Sequence, residues 1–326
     1  MDVDLRLLVL AVASLYQRVV CWREDQISPP GQRVDVGGYR LHYVTAGMGE
    51  VTIVLDHSLG GVEGYLLLDH LAKLSRVCIY DRAGFGWSDR SPHARTSDQI
   101  VTELDKLLTR AGLEPPYLLV GNSFGSYNMR LYAHRFPEKV VGLVLTDGLH
   151  ESGMLQMSVV LKALQLFFAS GFMMSVLGAG LGLIRVLCHI GMFELIKPEL
   201  RQFSGSSLRP VKRSFCRPKH WLTMTQEILN LTASGRQVGY ARDLNNLPIV
   251  SIKASSFFQP SLLTALMPLK AANQLRDRMH EQLKSLSANC IQLNAEKSGH
   301  FVWVDQPEVI ITAVKLLLQQ YPKAID

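Results

Sequence analysis

The sequence predicts an α/β protein with a mostly parallel central sheet and helices on both faces, and three observations carry that expectation. Apolar runs of strand length at 51–55, 76–80, 116–120 and 140–145 alternate with stretches of helical spacing, the order a parallel sheet with covered faces requires. The run at 116–120 ends in Gly121-Asn122-Ser123-Phe124-Gly125, a serine with a glycine two residues away on each side and a helix-like segment behind it. Of 326 residues, 48% are hydrophobic and 19% charged, enough for a large core and more apolar than a freely soluble enzyme requires.

Each element has its own signal. The run at 7–16, between Arg6 and Gln17-Arg18, is too short to span a bilayer comfortably. Ala11-Val12-Ala13 resembles a signal cleavage site, whereas Asp2 and Asp4 are foreign to a basic leader, so signal peptide, signal anchor and amphipathic helix all stay open. Alternation of Val34, Val36, Leu41 and Tyr43 around Gly37-Gly38 predicts a hairpin over 33–46. The strand at 51–55 leads into Asp56-His57-Ser58-Leu59-Gly60-Gly61, whose glycines let backbone approach a ligand. The strand at 76–80 closes on the loop from Asp81 to Asp89. Ile100, Val101, Leu104, Leu107 and Leu108 have helical spacing, which predicts a helix over 96–111. The strand at 140–145 ends at Asp147, and the last two strands are expected at 247–253 and 290–293.

A serine on a sharp strand-to-helix turn occupies a strained backbone conformation, and bulky residues two positions away would collide with the neighbouring strand and helix. Such a turn thrusts the hydroxyl out of the sheet and aims the first free helix N–H groups at the atom it attacks. His300 follows the strand at 290–293 and a small Gly299, and precedes the helix start Asp305-Gln306-Pro307-Glu308. That places it on a loop at a strand's C-terminal end, where a general base belongs.

These segments resemble the α/β-hydrolase fold family over 33–150 and 247–320. Four carry the resemblance: His57-Ser58-Leu59-Gly60-Gly61, the 81–89 loop, the 121–125 elbow, and Ser298-Gly299-His300-Phe301 leading into Asp305. The resemblance implies Ser123 as nucleophile and His300 as base, with an oxyanion hole from the backbone N–H groups of Leu59 and Phe124. Serine at the elbow implies ester-type hydrolysis, where aspartate would imply an epoxide hydrolase or dehalogenase. In most of the family the triad acid follows the strand matching 247–253, but Ala254-Ser255-Ser256-Phe257-Phe258-Gln259-Pro260 holds no carboxylate. Some members carry it one strand earlier, which points to Asp147, with Glu151, Asp243 and Glu296 as substitutes. Ser58 stands where the family usually has glycine. His57 is expected beneath its loop and not as a second base, and Asp81 and Arg82 as loop supports.

The domain reading follows: an apolar N-terminal segment at 1–32, a hydrolase core at 33–148 and 247–326, and a helical lid at 149–246. The lid contains an uncharged stretch at 163–184, as long as a transmembrane helix. One crossing there would separate Ser123 from His300, so the stretch is expected to return as helices broken near Gly171 and Gly178–Gly182, either buried over the active site or dipping into a bilayer surface. The Ser204-Gly205-Ser206-Ser207 tract reads as a loop.

Net charge is +6, and the acid-free run of Arg201, Arg209, Lys212, Arg213, Arg217 and Lys219 accounts for all of it. So local an excess argues against nucleic acid as a partner and, beside the apolar lid, for an anionic membrane surface. The five cysteines lack metal-type spacing, and Cys78 and Cys290 fall in strands as buried apolar residues. The expectation is a membrane-associated, lipase-like serine esterase acting on a small hydrophobic ester or lipid, with no metal or organic cofactor. The alternative is a catalytically silent member binding a hydrophobic ligand or partner. The oligomeric state is left open.

Overall fold

The computed structural model describes residues 3–257 and 269–321, so the end of the 254–260 turn lies outside the described residues. The strands described are β1 (Gln32–Asp35), β2 (Arg40–Ala46), β3 (Thr52–Asp56), β4 (Arg76–Tyr80), β5 (Tyr117–Asn122), β6 (Val140–Thr146), β7 (Ile249–Ala254) and β8 (Cys290–Ala295). They form one sheet in the order β1-β2-β4-β3-β5-β6-β7-β8. β1 pairs with β2 and β2 with β4 antiparallel, and every other neighbouring pair is parallel. The chain winds outward from β3 to β4, then returns to lay β5 on the other side of β3. At such a reversal the loops leaving the two strands diverge and open a crevice at their C-terminal ends. The 57–61 loop and the Ser123 elbow are the two loops in question.

Both faces of the sheet are covered. All six residues of β5 are buried. Leu119 belongs to the same buried layer as Leu104, Leu108 and Tyr127 on one side, while Leu118 and Val120 belong to the layer of Trp303, Val314 and Leu317 on the other. Alternate residues thus serve opposite layers, as strand geometry demands. The helices used below are α1 (Val3–Asp25), α2 (Ser97–Arg110), α3 (Phe124–Arg135), α4 (Val159–Gly180), α5 (Leu183–His189), α6 (Gly205–Phe215), α7 (Pro218–Leu229), α8 (Leu269–Lys284) and α9 (Pro307–Gln320). α2 buries the five apolar residues that predicted it.

Five expectations are corrected here. α4 runs unbroken through Gly171 and ends only at Leu181-Gly182, where Gly182 takes a left-handed φ of 77°. An isolated helix glycine costs about 1 kcal/mol relative to alanine, and the packing of α4 along α7 overrides so small a penalty. Ser204 does not sit in a loop tract but caps α6, its hydroxyl accepting from the Ser207 N–H. The N-terminal apolar run belongs to a 23-residue helix, and α1 is long and apolar enough to cross a membrane by length and composition.

The basic run is not a free cationic patch. Arg213 and Arg217 pair with Asp25 at 2.6 and 2.8 Å, Arg217 also reaches Glu24 at 2.7 Å, and Lys212 pairs with Glu194. Arg185 of α5 pairs with Glu24 as well. The acids closing α1 therefore neutralise the cations of the inserted segment and clasp the N-terminal helix to it. Arg201 and Arg209 remain exposed. Among the cysteines, Cys78 and Cys216 are buried, while Cys290 is only half-buried at the sheet edge.

Candidate active site

Ser123 lies between β5 and α3 with φ 49° and ψ −110°, a region that non-glycine residues rarely occupy and that costs of order 1–3 kcal/mol. Its surroundings over-determine it. The Ser123 N–H donates to the Thr146 carbonyl at 2.9 Å, and its own carbonyl accepts from the Ser126 hydroxyl at 2.5 Å. A Cβ at Gly121 would stand 2.6 Å from the Gly125 carbonyl oxygen, and one at Gly125 would stand 2.5 Å from the Asp56 carbonyl oxygen. Backbone cannot yield as a side chain does. Gly125→Ala is accordingly expected to destabilise the fold by about 1–3 kcal/mol, the usual cost of overpacking, read as a lower midpoint in urea. An unchanged midpoint would show that the elbow is not sterically held.

Asp147 follows β6 and also has a positive φ, 38°. Its N–H donates to the Ile252 carbonyl at 2.8 Å, which ties the residue to β7. One carboxylate oxygen, Oδ2, accepts from His300 Nδ1 at 2.6 Å. The other, Oδ1, accepts from His280 Nε2 at 3.0 Å and from the Ala254 N–H at 3.2 Å. Burial alone would raise the Asp147 pKa, but these hydrogen bonds and the charges of the two imidazoles hold it well below the usual carboxylate range. With its proton on Nδ1, His300 presents Nε2 as a lone pair, 2.9 Å from Ser123 Oγ. Its ring stacks on Phe257 at 4.5 Å between centroids, and its N–H donates to the Phe257 carbonyl.

The structure thus brings Ser123, His300 and Asp147 into one chain of hydrogen bonds at the C-terminal ends of β5, β8 and β6. The substitutes for Asp147 are elsewhere. Glu151 pairs with Arg130 at 3.0 Å, Asp243 accepts from the Asn245 N–H, and Glu296 is exposed. Leu59 and Phe124 flank the serine from the β3 loop and the α3 N-terminus, and among the described residues neither N–H donates to any group. His57 is fully buried, with Nε2 donating to the Tyr80 carbonyl and Nδ1 accepting from the Gly64 N–H. Both ring nitrogens are therefore committed to structure.

Arg82 grips the same loop. It donates to the His57 and Ser58 carbonyls at 2.9 and 2.7 Å, to Asp56 at 2.6 Å, and through Nε and Nη2 to both oxygens of Glu227 on α7. Asp81 is equally structural, accepting from the Trp87 N–H and pairing with His42. His280 and Glu227 carry no local sequence signal. Each reaches the site from a helix more than a hundred positions away from the residue it touches.

Comparison with known proteins agrees with this fold. Residues 51–173 match the family model described as alpha/beta hydrolase fold. The uncharacterized protein YqjL of Bacillus subtilis is 46% identical over 71 residues, covering 22% of this chain and 28% of that one. An uncharacterized vacuolar membrane protein of Saccharomyces cerevisiae is 34% identical over 113 residues, covering 32% and 17%. Such matches span less than half the length of the first curated relatives. Among solved structures, epoxide hydrolase CorEH superposes with a TM-score of 0.66 at 17% identity, covering 88% of this chain and 98% of that one. The enol-lactonase of Burkholderia xenovorans LB400 gives 0.59 at 15%, covering 88% and 100%. With the sheet order, the elbow and the family model in agreement, the chain has the α/β-hydrolase fold, and its residues 51–173 match that family's model.

Proposed function

We propose that the protein is a serine hydrolase that cleaves an ester with a hydrophobic acyl part through an acyl-enzyme on Ser123. The observation that carries this reading is the relay from Ser123 Oγ through His300 to the Asp147 carboxylate, at 2.9 and 2.6 Å. His300 Nε2 takes the hydroxyl proton as Oγ attacks the carbonyl carbon, and Asp147 stabilises the imidazolium that forms. Negative charge then develops on the carbonyl oxygen, where the unengaged N–H groups of Leu59 and Phe124 are available to receive it. His300 returns the proton to the leaving alcohol, and water repeats the sequence to free the acid. These side chains suffice for the chemistry. The serine also separates this chain from carboxylate-nucleophile enzymes of the same fold, so likeness to an epoxide hydrolase fold does not carry that chemistry over.

Inserted helices such as α4 and α7 form the lid in this reading and select a greasy substrate. A panel of p-nitrophenyl esters from acetyl to decanoyl tests it. The expected result is covalent labelling by a fluorophosphonate and a kcat/KM that rises with chain length. No labelling and no turnover on any ester would favour the silent binding protein instead.

The apolar face adds a location. α4 buries Leu161 and Ala169 inward, while Leu166, Phe167, Met173, Met174 and Leu177 form an exposed outer stripe, and α1 exposes leucine and valine along most of its length. Apolar surface of this extent costs about 25 cal/mol for each Å² left in water, and a lipid bilayer relieves that cost. The vacuolar membrane protein among the relatives supports the same location. Since Lys212, Arg213 and Arg217 are paired, the attachment is expected to be hydrophobic and to survive high salt on neutral phosphatidylcholine liposomes. Flotation should weaken when Phe167 and Met174 are both replaced by aspartate, α1 holding what remains, with turnover on a small soluble ester preserved. Recovery in the soluble fraction with and without liposomes would end this part of the reading.

A further inference from the structure

The five amides from His57 to Gly61 have different fates. The His57 N–H donates to Asp56 Oδ1 at 2.9 Å, Ser58 to Glu63 Oε1 at 2.7 Å, Gly60 to Glu227 Oε2 at 3.1 Å, and Gly61 to the Ser58 carbonyl at 2.9 Å. Only the Leu59 amide, the middle one, donates to nothing among the described residues. Carboxylates hold the amides on both sides of it.

We propose that Glu63 and Glu227 are positioning residues for the oxyanion hole, fixing the peptide planes on either side of Leu59 so that its N–H stays turned to the substrate's developing charge. The inference rests on the serine-hydrolase reading and adds to it a source for the geometry. Peptide N–H direction follows the torsions of both flanking residues, so gripping the amides at 58 and 60 removes the freedom by which the amide at 59 would turn away.

Glu63 does more than hold one amide. The same oxygen that accepts from Ser58 accepts from Asn122 Nδ2 at 2.8 Å. Asn122 immediately precedes the nucleophile, so a single carboxylate oxygen sets the separation between the loop bearing Leu59 and the elbow bearing Phe124. Glu227 makes the corresponding link to the inserted segment. Its charge would oppose an oxyanion nearby, but Arg82 meets both of its oxygens at 2.8 and 2.9 Å and cancels it. Glu227 lies on α7, which packs along α4, and the Gln165 amide of α4 donates to the Ile228 carbonyl at 2.6 Å. The apolar helix that carries the exposed stripe is therefore one layer from the residue that steadies the oxyanion loop.

The test compares Glu63→Met with Glu63→Gln, and Glu227→Met alongside them, using p-nitrophenyl butyrate and a trifluoromethyl ketone that forms a tetrahedral adduct with a reactive serine. Methionine removes the acceptor, while glutamine keeps a carbonyl oxygen for Ser58 and Asn122. The Met variants should lose about 10- to 100-fold in kcat, with KM within about threefold. Their affinity for the ketone should fall in parallel, while that for the product alcohol is unchanged and Glu63→Gln recovers most of the loss. If Glu63→Met does not fold, Glu63→Asp, which keeps the charge but withdraws the acceptor, takes its place with the same expected loss. Equal kcat in wild type and folded Met or Asp variants, a change confined to KM, or equal losses in Met and Gln would overturn the proposal. A wild type that hydrolyses no ester removes the serine-hydrolase reading and this one with it. Activity that persists unchanged in the variants removes this one alone.

Discussion

Replacing Ser123 by alanine is expected to abolish ester turnover and fluorophosphonate labelling, and His300→Ala to do the same, each by a factor on the order of 10⁶ in kcat. The two act as one unit: without the hydroxyl there is no nucleophile, and without the imidazole the hydroxyl proton has no acceptor at 2.9 Å. The double variant should therefore be little worse than either single one, which separates a shared mechanism from two independent contributions. Thermal unfolding should hardly move. The backbone bonds that fix the elbow come from the Ser123 N–H and carbonyl, which alanine retains. Turnover surviving in Ser123→Ala would remove the nucleophile assignment, and a large fall in melting temperature would make the activity loss uninformative about chemistry.

Sequence reveals such features unequally, and the reason is physical. The elbow is legible because its sterics leave residue-type traces: Gly121 and Gly125 each face backbone too close for a Cβ. Asp147 is legible because a strand's C-terminal end is recognisable, and strand pairing then dictates where it lies. His280 is not, since it reaches Asp147 from the middle of α8, where a buried histidine looks like any other. Glu63 and Glu227 are hidden for the same reason, because their roles lie in contacts between elements far apart in the chain. The basic run misleads in the opposite way. Charge counted along 201–219 finds no acid, yet Glu24 and Asp25 arrive from almost two hundred positions away. Gly171 shows a weak local preference losing to packing, and the exposed apolar stripe of α4 follows from apolar residues covering the whole circumference of a helix that can bury only one side.

Asp147→Asn is expected to lower kcat by about 10⁴-fold, the loss the equivalent change causes in a serine protease. The hydrogen bonds explain why so small a change acts so strongly. The Ala254 N–H can only donate, and it points at Oδ1, so the asparagine carbonyl must take that side. His280 Nε2 donates to the same oxygen and reinforces the choice. The amide NH₂ is then forced toward His300 Nδ1, which must become an acceptor and move its proton to Nε2. In that tautomer His300 offers Ser123 a donor where a base is needed. KM should change little, because the substrate-facing groups stay in place. Glu151→Gln loses the ion pair with Arg130 and should act on stability more than on kcat, and Asp243→Asn should do little of either. Because the Asp147 pKa is depressed on folding, its contribution to stability is complete above the unfolded carboxylate value of about 3.9 and is lost only as pH falls through the folded one. A kcat profile taken above pH about 4 should accordingly show no acidic limb from this residue. A larger loss in Glu151→Gln or Asp243→Asn than in Asp147→Asn would move the acid's role away from Asp147.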